Sequence, residues 1–265
     1  MFFSPLEQFE IISLFNLTMN SIDFSFTNSS LLIVFAFFFV FIGIRLLSQG
    51  TGGFIVPNRW QSLVESLYGF IGNMVFENMG KKGQEFFPFI FALFSFLLLC
   101  NFIGLVPYSF TVTSHLVITF GFSLVVWVGK LFIGFNYHGI KFFGVLLPNG
   151  LPVAIIPFFV AVEFLSFIIP LFALGVRLFA NIIAGHILLK VFVGFCWSII
   201  MAGGLLFLAH FVPIAVLFLL LFLETAVAAI QAYIFTMLAC LIIGDAVKGG
   251  HLFSYFFFLS LVAQW

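Results

Sequence analysis

The chain has 265 residues, of which 64% are hydrophobic and only 7% charged, against about 45–50% and about 25% in soluble domains. That balance excludes a water-soluble fold, because no polar surface could cover so much apolar side chain. Nine basic and nine acidic residues cancel, which argues against nucleic acid or a strongly acidic partner and leaves the membrane as the place to look for partners.

In chain order, residues 1–30 form an N-terminal segment. Glu7 and Glu10 come early, with no basic region ahead of an apolar one, so it reads as neither a signal nor a transit peptide. Asn16-Leu17-Thr18 and Asn28-Ser29-Ser30 match the glycosylation triplet, a pattern too common by chance to carry weight. Residues 31–48 supply the first run near the ~20 apolar residues that a membrane span needs. Residues 57–80 mix Arg59, Gln61, Glu65, Asn73, Glu77 and Asn78 with aromatic and aliphatic side chains behind Pro57. That pattern predicts an amphipathic helix lying on the membrane.

Residues 86–107 and 113–135 read as two further spans joined by a tight turn, hence a hairpin, and a polar break follows from Asn136 to Pro152. Residues 151–197 and 199–246 have little punctuation beyond prolines and glycines. At about 1.5 Å per residue each is too long for one upright helix, so hydropathy leaves two spans or one tilted helix open in both cases. If each crosses once, Arg45, Arg59, Lys81, Lys82, Lys130, Lys141 and Lys248 gather on one side of the membrane, with Lys190 near the other. The excess of basic loops then places the N-terminus outside. Residues 247–265 form an apolar tail too short to cross. Cys100, Cys196 and Cys240 sit in apolar runs without metal or disulfide spacing and read as small buried hydrophobes.

Arg177 stands out, with some twenty apolar residues on each side. An arginine at mid-membrane costs at least about 2.5–3.5 kcal/mol on insertion scales and marks a function. A guanidinium does not release its proton at physiological pH, so Arg177 is a fixed cation that can hold a nearby carboxylate ionised but cannot relay protons. By helical spacing Asn181 shares its face and Glu163 lies on roughly the same side, whereas His186 points nearly opposite. Glu224 and Gln231, seven apart, share a face of the last long segment. His186 and Glu224 are natural proton-relay members, with a structural pair between packed helices as the plain alternative; His115 and His210 are weaker candidates. Small residues Ala180, Ala184, Gly185, Ala226, Ala228 and Ala229 predict close helix packing.

The run Arg177-Leu178-Phe179-Ala180-Asn181-Ile182-Ile183-Ala184-Gly185-His186 resembles the signature of subunit a of the F-type rotary ATP synthases. Leu223-Glu224-Thr225-Ala226-Val227-Ala228-Ala229-Ile230-Gln231-Ala232-Tyr233-Ile234-Phe235 is similar to the second signature of that family. Pro5-Leu6-Glu7-Gln8-Phe9-Glu10 resembles the start of mitochondrial members, and Pro107-Tyr108-Ser109-Phe110-Thr111-Val112-Thr113-Ser114-His115 resembles plant-type and alphaproteobacterial ones. The tail after Lys248 has no counterpart.

The resemblance implies an all-α membrane protein with five transmembrane helices plus one membrane-lying helix, the last two long and tilted along a ring of c subunits. It implies a proton-conducting stator, not an enzyme, without cofactor or metal. Two offset half-channels would serve ring carboxylates on either side of Arg177, with His186 and Glu224 as the coupled pair of one channel. Enterobacterial members carry that pair exchanged. Glu163 matches the acid near the inner half-channel, Asn181 the polar neighbour of the arginine, and Gln231 the glutamine facing it. Ile169, where many members have a polar or basic residue, departs from the pattern. The implied partners are the c ring, the peripheral stalk, other membrane subunits of the synthase and lipids, with no nucleic acid. The implied location is the mitochondrial inner membrane, with a bacterial inner membrane as the alternative; abundant phenylalanine, 45 residues, and the lack of a presequence favour an organelle-encoded chain. The rival function is a secondary transporter binding an anionic substrate at Arg177, but the internal repeats frequent in such folds are not found, and no Gly-rich phosphate loop is present.

Overall fold

The computed structural model describes residues 7–16, 18–19, 22–23, 25–48, 58–106, 109–139, 142, 156–203 and 210–248. The tail from 249 to 265, Pro5, Leu6, Pro57, Pro107, Tyr108, Lys141 and the stretch 143–155 lie outside these residues. Among the described residues six α-helices follow in order: α1 Asn28–Ser48, α2 Arg59–Met79, α3 Phe87–Leu105, α4 Leu116–His138, α5 Ile156–Ala202 and α6 Phe211–Lys248. Among the described residues four helical stretches, Lys81–Leu105, Leu116–His138, Val160–Met201 and Phe211–Val247, are long and apolar enough to cross a bilayer, and Asn28–Gly43 is a shorter apolar one. The chain is thus an all-α membrane protein apart from four short strands near its start.

Those strands, β1 Ser13–Phe15, β2 Thr18–Met19, β3 Ile22–Asp23 and β4 Phe26–Thr27, pair antiparallel as β1 with β4 and β2 with β3. They lead directly into α1. The glycosylation-like triplet at Asn28 is used there as a helix start: Asn28 Oδ1 accepts from the Ser29 amide at 2.9 Å, and Thr27 Oγ1 accepts from the Ser30 amide at 3.4 Å. Such side chains meet the backbone groups that a first helical turn leaves without partners. Asn58 does the same for α2, accepting from the Arg59 amide at 2.7 Å.

The chain divides into two compact units, with boundaries inside α1, α3, α4, α5 and α6. The first comprises Met1–Leu46, Ser95–Ile118 and Arg177–Tyr233. Here Phe37 of α1 meets Phe96 of α3 with ring centroids 4.4 Å apart, and Asn101 of α3 donates to the Ala228 carbonyl of α6 at 3.1 Å. The approach is close because Ala228 is small. Val112–Ser114 form a 3₁₀ turn ahead of α4, so the helix starts at Leu116 and not at the 113 expected from hydropathy.

The second unit comprises Leu47–Phe94, Thr119–Val176 and Ile234–Trp265. The inward face of α2 is Ile71, Met74, Val75 and Met79, at helical spacing. Gly244 of α6 lets that helix approach α2: a Cβ there would lie 3.3 Å from the Asn78 carbonyl oxygen. Between α4 and α5, Trp127 Nε1 donates to the Phe167 carbonyl at 3.0 Å, and Phe120 meets Phe172 at 5.3 Å. Pro170, buried inside α5, lies three residues on, and its missing N–H deprives the Ser166 carbonyl, next to that of Phe167, of its helical donor. Lys130, read from sequence as a loop cation, is instead a buried side chain of α4, only 7% exposed.

Gly175 marks a close approach of α5 to the backbone of α4. A Cβ there would stand 3.0 Å from Phe120 Cα and 3.0 Å from Ser123 Oγ, and backbone cannot swing aside. Gly175→Leu is expected to cost about 1–3 kcal/mol through overpacking, read as a lower thermal denaturation midpoint of the purified assembly.

Candidate functional site

Each polar residue of the two signature runs lies on α5 or α6, and within the first unit those helices run antiparallel against each other. Asn181 Nδ2 donates to Gln231 Oε1 at 2.8 Å. Five residues further along α5, His186 Nδ1 lies 3.7 Å from Glu224 Oε1, seven residues back along α6. The two contacts fix one register between the helices. Helical spacing placed Glu224 and Gln231 on one face, and both are buried there.

Glu224 is 6% exposed, and neither carboxylate oxygen accepts a hydrogen bond among the described residues. At 3.7 Å the imidazole is an ionic neighbour and not a hydrogen-bond partner. A buried carboxylate in that condition is costly when charged. Space for it comes from Gly185: a Cβ there would sit 2.9 Å from Glu224 Oε1 and 3.3 Å from Cδ. Phe9, in the 3₁₀ turn Glu7–Phe9, sets its ring edge-on to His186 at 6.1 Å.

Arg177 is half-buried on α5, one turn before Asn181. Among the described residues no carboxylate comes within ion-pair distance of it. Ala180, Asn181, Ala184, Leu188 and Val191 after it are exposed, as are Leu219, Phe222, Ala226 and Ile230 on α6. A fixed cation therefore stands beside uncovered small and apolar side chains.

Glu163 belongs to the second unit, partly exposed on α5. One turn on, Phe167 packs under Lys130, whose Nζ lies 4.4 Å from the ring centroid. Asp245 of α6 and Glu163 are the carboxylates whose charges act on Lys130. The weaker histidine candidates both stack on phenylalanine: His115 on Phe110 at 5.1 Å and His210 on Phe211 at 4.4 Å. Burial pushes the His115 imidazole below its ordinary range, so it carries little charge at neutral pH.

Three residues escaped sequence reasoning. Asn101 read only as an interruption in an apolar run, yet it bonds to α6 one turn beyond Glu224 and keeps a buried Oδ1 without a hydrogen bond among the described residues. Lys130 read as a loop cation, and Asp245 drew no reading. A polar residue inside a span was the available signal for Asn101; nothing local distinguishes the other two.

The family described as ATP synthase A chain matches residues 26–244. ATP synthase subunit a of Chondrus crispus is 47% identical over 244 residues, covering 92% of this chain and 96% of that one. Its counterpart in Marchantia polymorpha is 45% identical over 248 residues, 92% and 98% of the two chains, and that of Parvibaculum lavamentivorans is 44% identical over 247 residues, 93% and 94%. With the family matched over most of its length and relatives this similar along nearly all of it, the chain belongs to the ATP synthase subunit a family.

Proposed function

We propose that this chain is the proton-conducting stator of an F-type ATP synthase, carrying protons to and from carboxylates of a c ring while other subunits perform the ATP chemistry. The observation that carries the proposal is the half-buried Arg177, without a carboxylate partner among the described residues, beside an uncovered stripe of small and apolar side chains. A cation in that position fits a carboxylate supplied by another subunit. The ring would lie along this stripe, which the tilt of α5 and α6 would extend. At 47 residues, α5 has a contour length of about 70 Å, against about 30 Å of bilayer core. The remaining spans would be α1, α3 and α4, five in all, with α2 lying on the membrane.

In this reading His186 and Glu224 line one half-channel, passing a proton between water and the ring, with Asn101 beside them. Asn181 and Gln231 hold the register that keeps Arg177 facing outward. Glu163 lies on the other half-channel. Each proton crossing about 100 mV releases roughly 2.3 kcal/mol, and a continuous wire would dissipate it; Arg177, which keeps its proton, blocks that wire. The membrane would be the mitochondrial inner membrane, with a bacterial inner membrane as the alternative.

Arg177→Lys in the reconstituted complex is expected to abolish proton-coupled ATP synthesis, and full coupled synthesis in that variant would end the reading. His186→Glu and Glu224→His are each expected to lower proton flux at least about tenfold, about 1.4 kcal/mol on the barrier. The exchanged double variant should recover part of that loss, and flux no better than the worse single variant would argue against a shared proton task. Gly185→Ala displaces the Glu224 carboxylate, the flexible end of a side chain, so the complex should assemble normally and conduct more slowly, as seen by comparing yield with flux.

A further inference from the structure

Lys130 is the one lysine or arginine side chain that is fully buried among the described residues. An ammonium is strongly hydrated, and holding one inside a membrane helix is costly unless other groups replace its water. One aromatic ring and two carboxylate charges of the second unit act on it. Phe167 of α5 offers its ring face at 4.4 Å, a favourable placement for a desolvated cation. Asp245 of α6 and Glu163 of α5 supply the negative charges that act on it. Glu163 and Phe167 are four residues apart, so one face of α5 brings both to the ammonium. Along α4 no other titratable side chain occurs between Leu116 and Asn136.

Two carboxylates and one ammonium make a cluster with an odd balance of charge. With both acids ionised it carries one net negative charge, and one added proton makes it neutral. Two carboxylates sharing a poorly hydrated space without a cation do not both ionise readily, and the first proton is then held tightly. The cation decides whether that proton leaves on demand.

We infer that Lys130 is a positioning residue of the proton path, a buried counter-ion shared by Glu163 and Asp245 that leaves their cluster one readily exchangeable proton. The inference rests on the reading of Glu163 as a half-channel acid. No bond other than those to the exchanging proton changes: a proton arriving at one carboxylate leaves from the same cluster to water, and Lys130 keeps its own.

The test uses the whole ATP synthase complex reconstituted in vesicles, with proton flux measured against pH. Lys130→Met is expected to slow flux about tenfold near neutrality and to move the pH profile up by about one unit, since proton release then needs a higher pH. Lys130→Arg keeps the charge and should keep the profile. Lys130→Met with Asp245→Asn removes one acid together with the cation and should return the profile to its original position. A Lys130→Met profile that is unshifted, whether flux is unchanged or lowered equally at every pH, overturns the inference, because loss of packing alone scales the rate and leaves its pH dependence in place. Should the single Met variant not assemble, the double variant decides: assembly with the original profile supports the shared counter-ion, whereas failure to assemble or a displaced profile overturns it. Glu163→Gln separates the two levels. Undiminished flux in that variant removes Glu163 from the path, whereas an inactive Glu163→Gln beside an unshifted Lys130→Met removes only the role of Lys130.

Discussion

The scarcity of water inside a membrane protein governs where this chain places its polar groups. In water a carboxylate costs nothing to keep and an arginine needs no partner. Inside a bilayer each must be matched, neutralised or put to use. Glu224, buried and without a hydrogen bond, is the sharpest instance, and its neighbours follow from it. Gly185 is small so that the carboxylate has room, His186 stands 3.7 Å away, and the Asn181–Gln231 bond fixes the register that brings the pair together.

The two units meet the same constraint in different ways. In the first, a buried carboxylate is left without a hydrogen bond among the described residues and a half-buried cation stands without a carboxylate beside it. In the second, a buried ammonium lies over an aromatic ring and feels the charges of two acids. Sequence reasoning weighed Arg177 and the His186–Glu224 pair because they stand in long apolar runs where any charge is conspicuous. It passed over Lys130 because a lysine eight residues before a helix end looks like a loop flank.

The spans were legible in hydropathy alone, since a run of about twenty apolar residues has few other uses. What hydropathy could not decide was whether the stretches from Leu151 and from Ile199 were single helices; α5 runs unbroken through 47 residues even across Pro170. The short strands ahead of α1 were invisible because two or three residues are too few for an alternating pattern to emerge. Helical spacing grouped Arg177 with Asn181 and Glu224 with Gln231, because those relations lie within one helix. The pairing of Asn181 with Gln231, and of Lys130 with acids on two other helices, depends on packing between helices and has no local signature.

The Asn101–Ala228 bond joins residues 127 positions apart, and the Asn181–Gln231 bond spans 50. At a synthesis rate of about 5–20 residues per second, Asn101 is made on the order of ten seconds before its acceptor exists. A chain that stops short of α6 therefore holds unmatched amides in α3 and α5 that the finished chain pairs. That difference gives a membrane-bound protease a chemical basis for removing incomplete subunits while sparing complete ones.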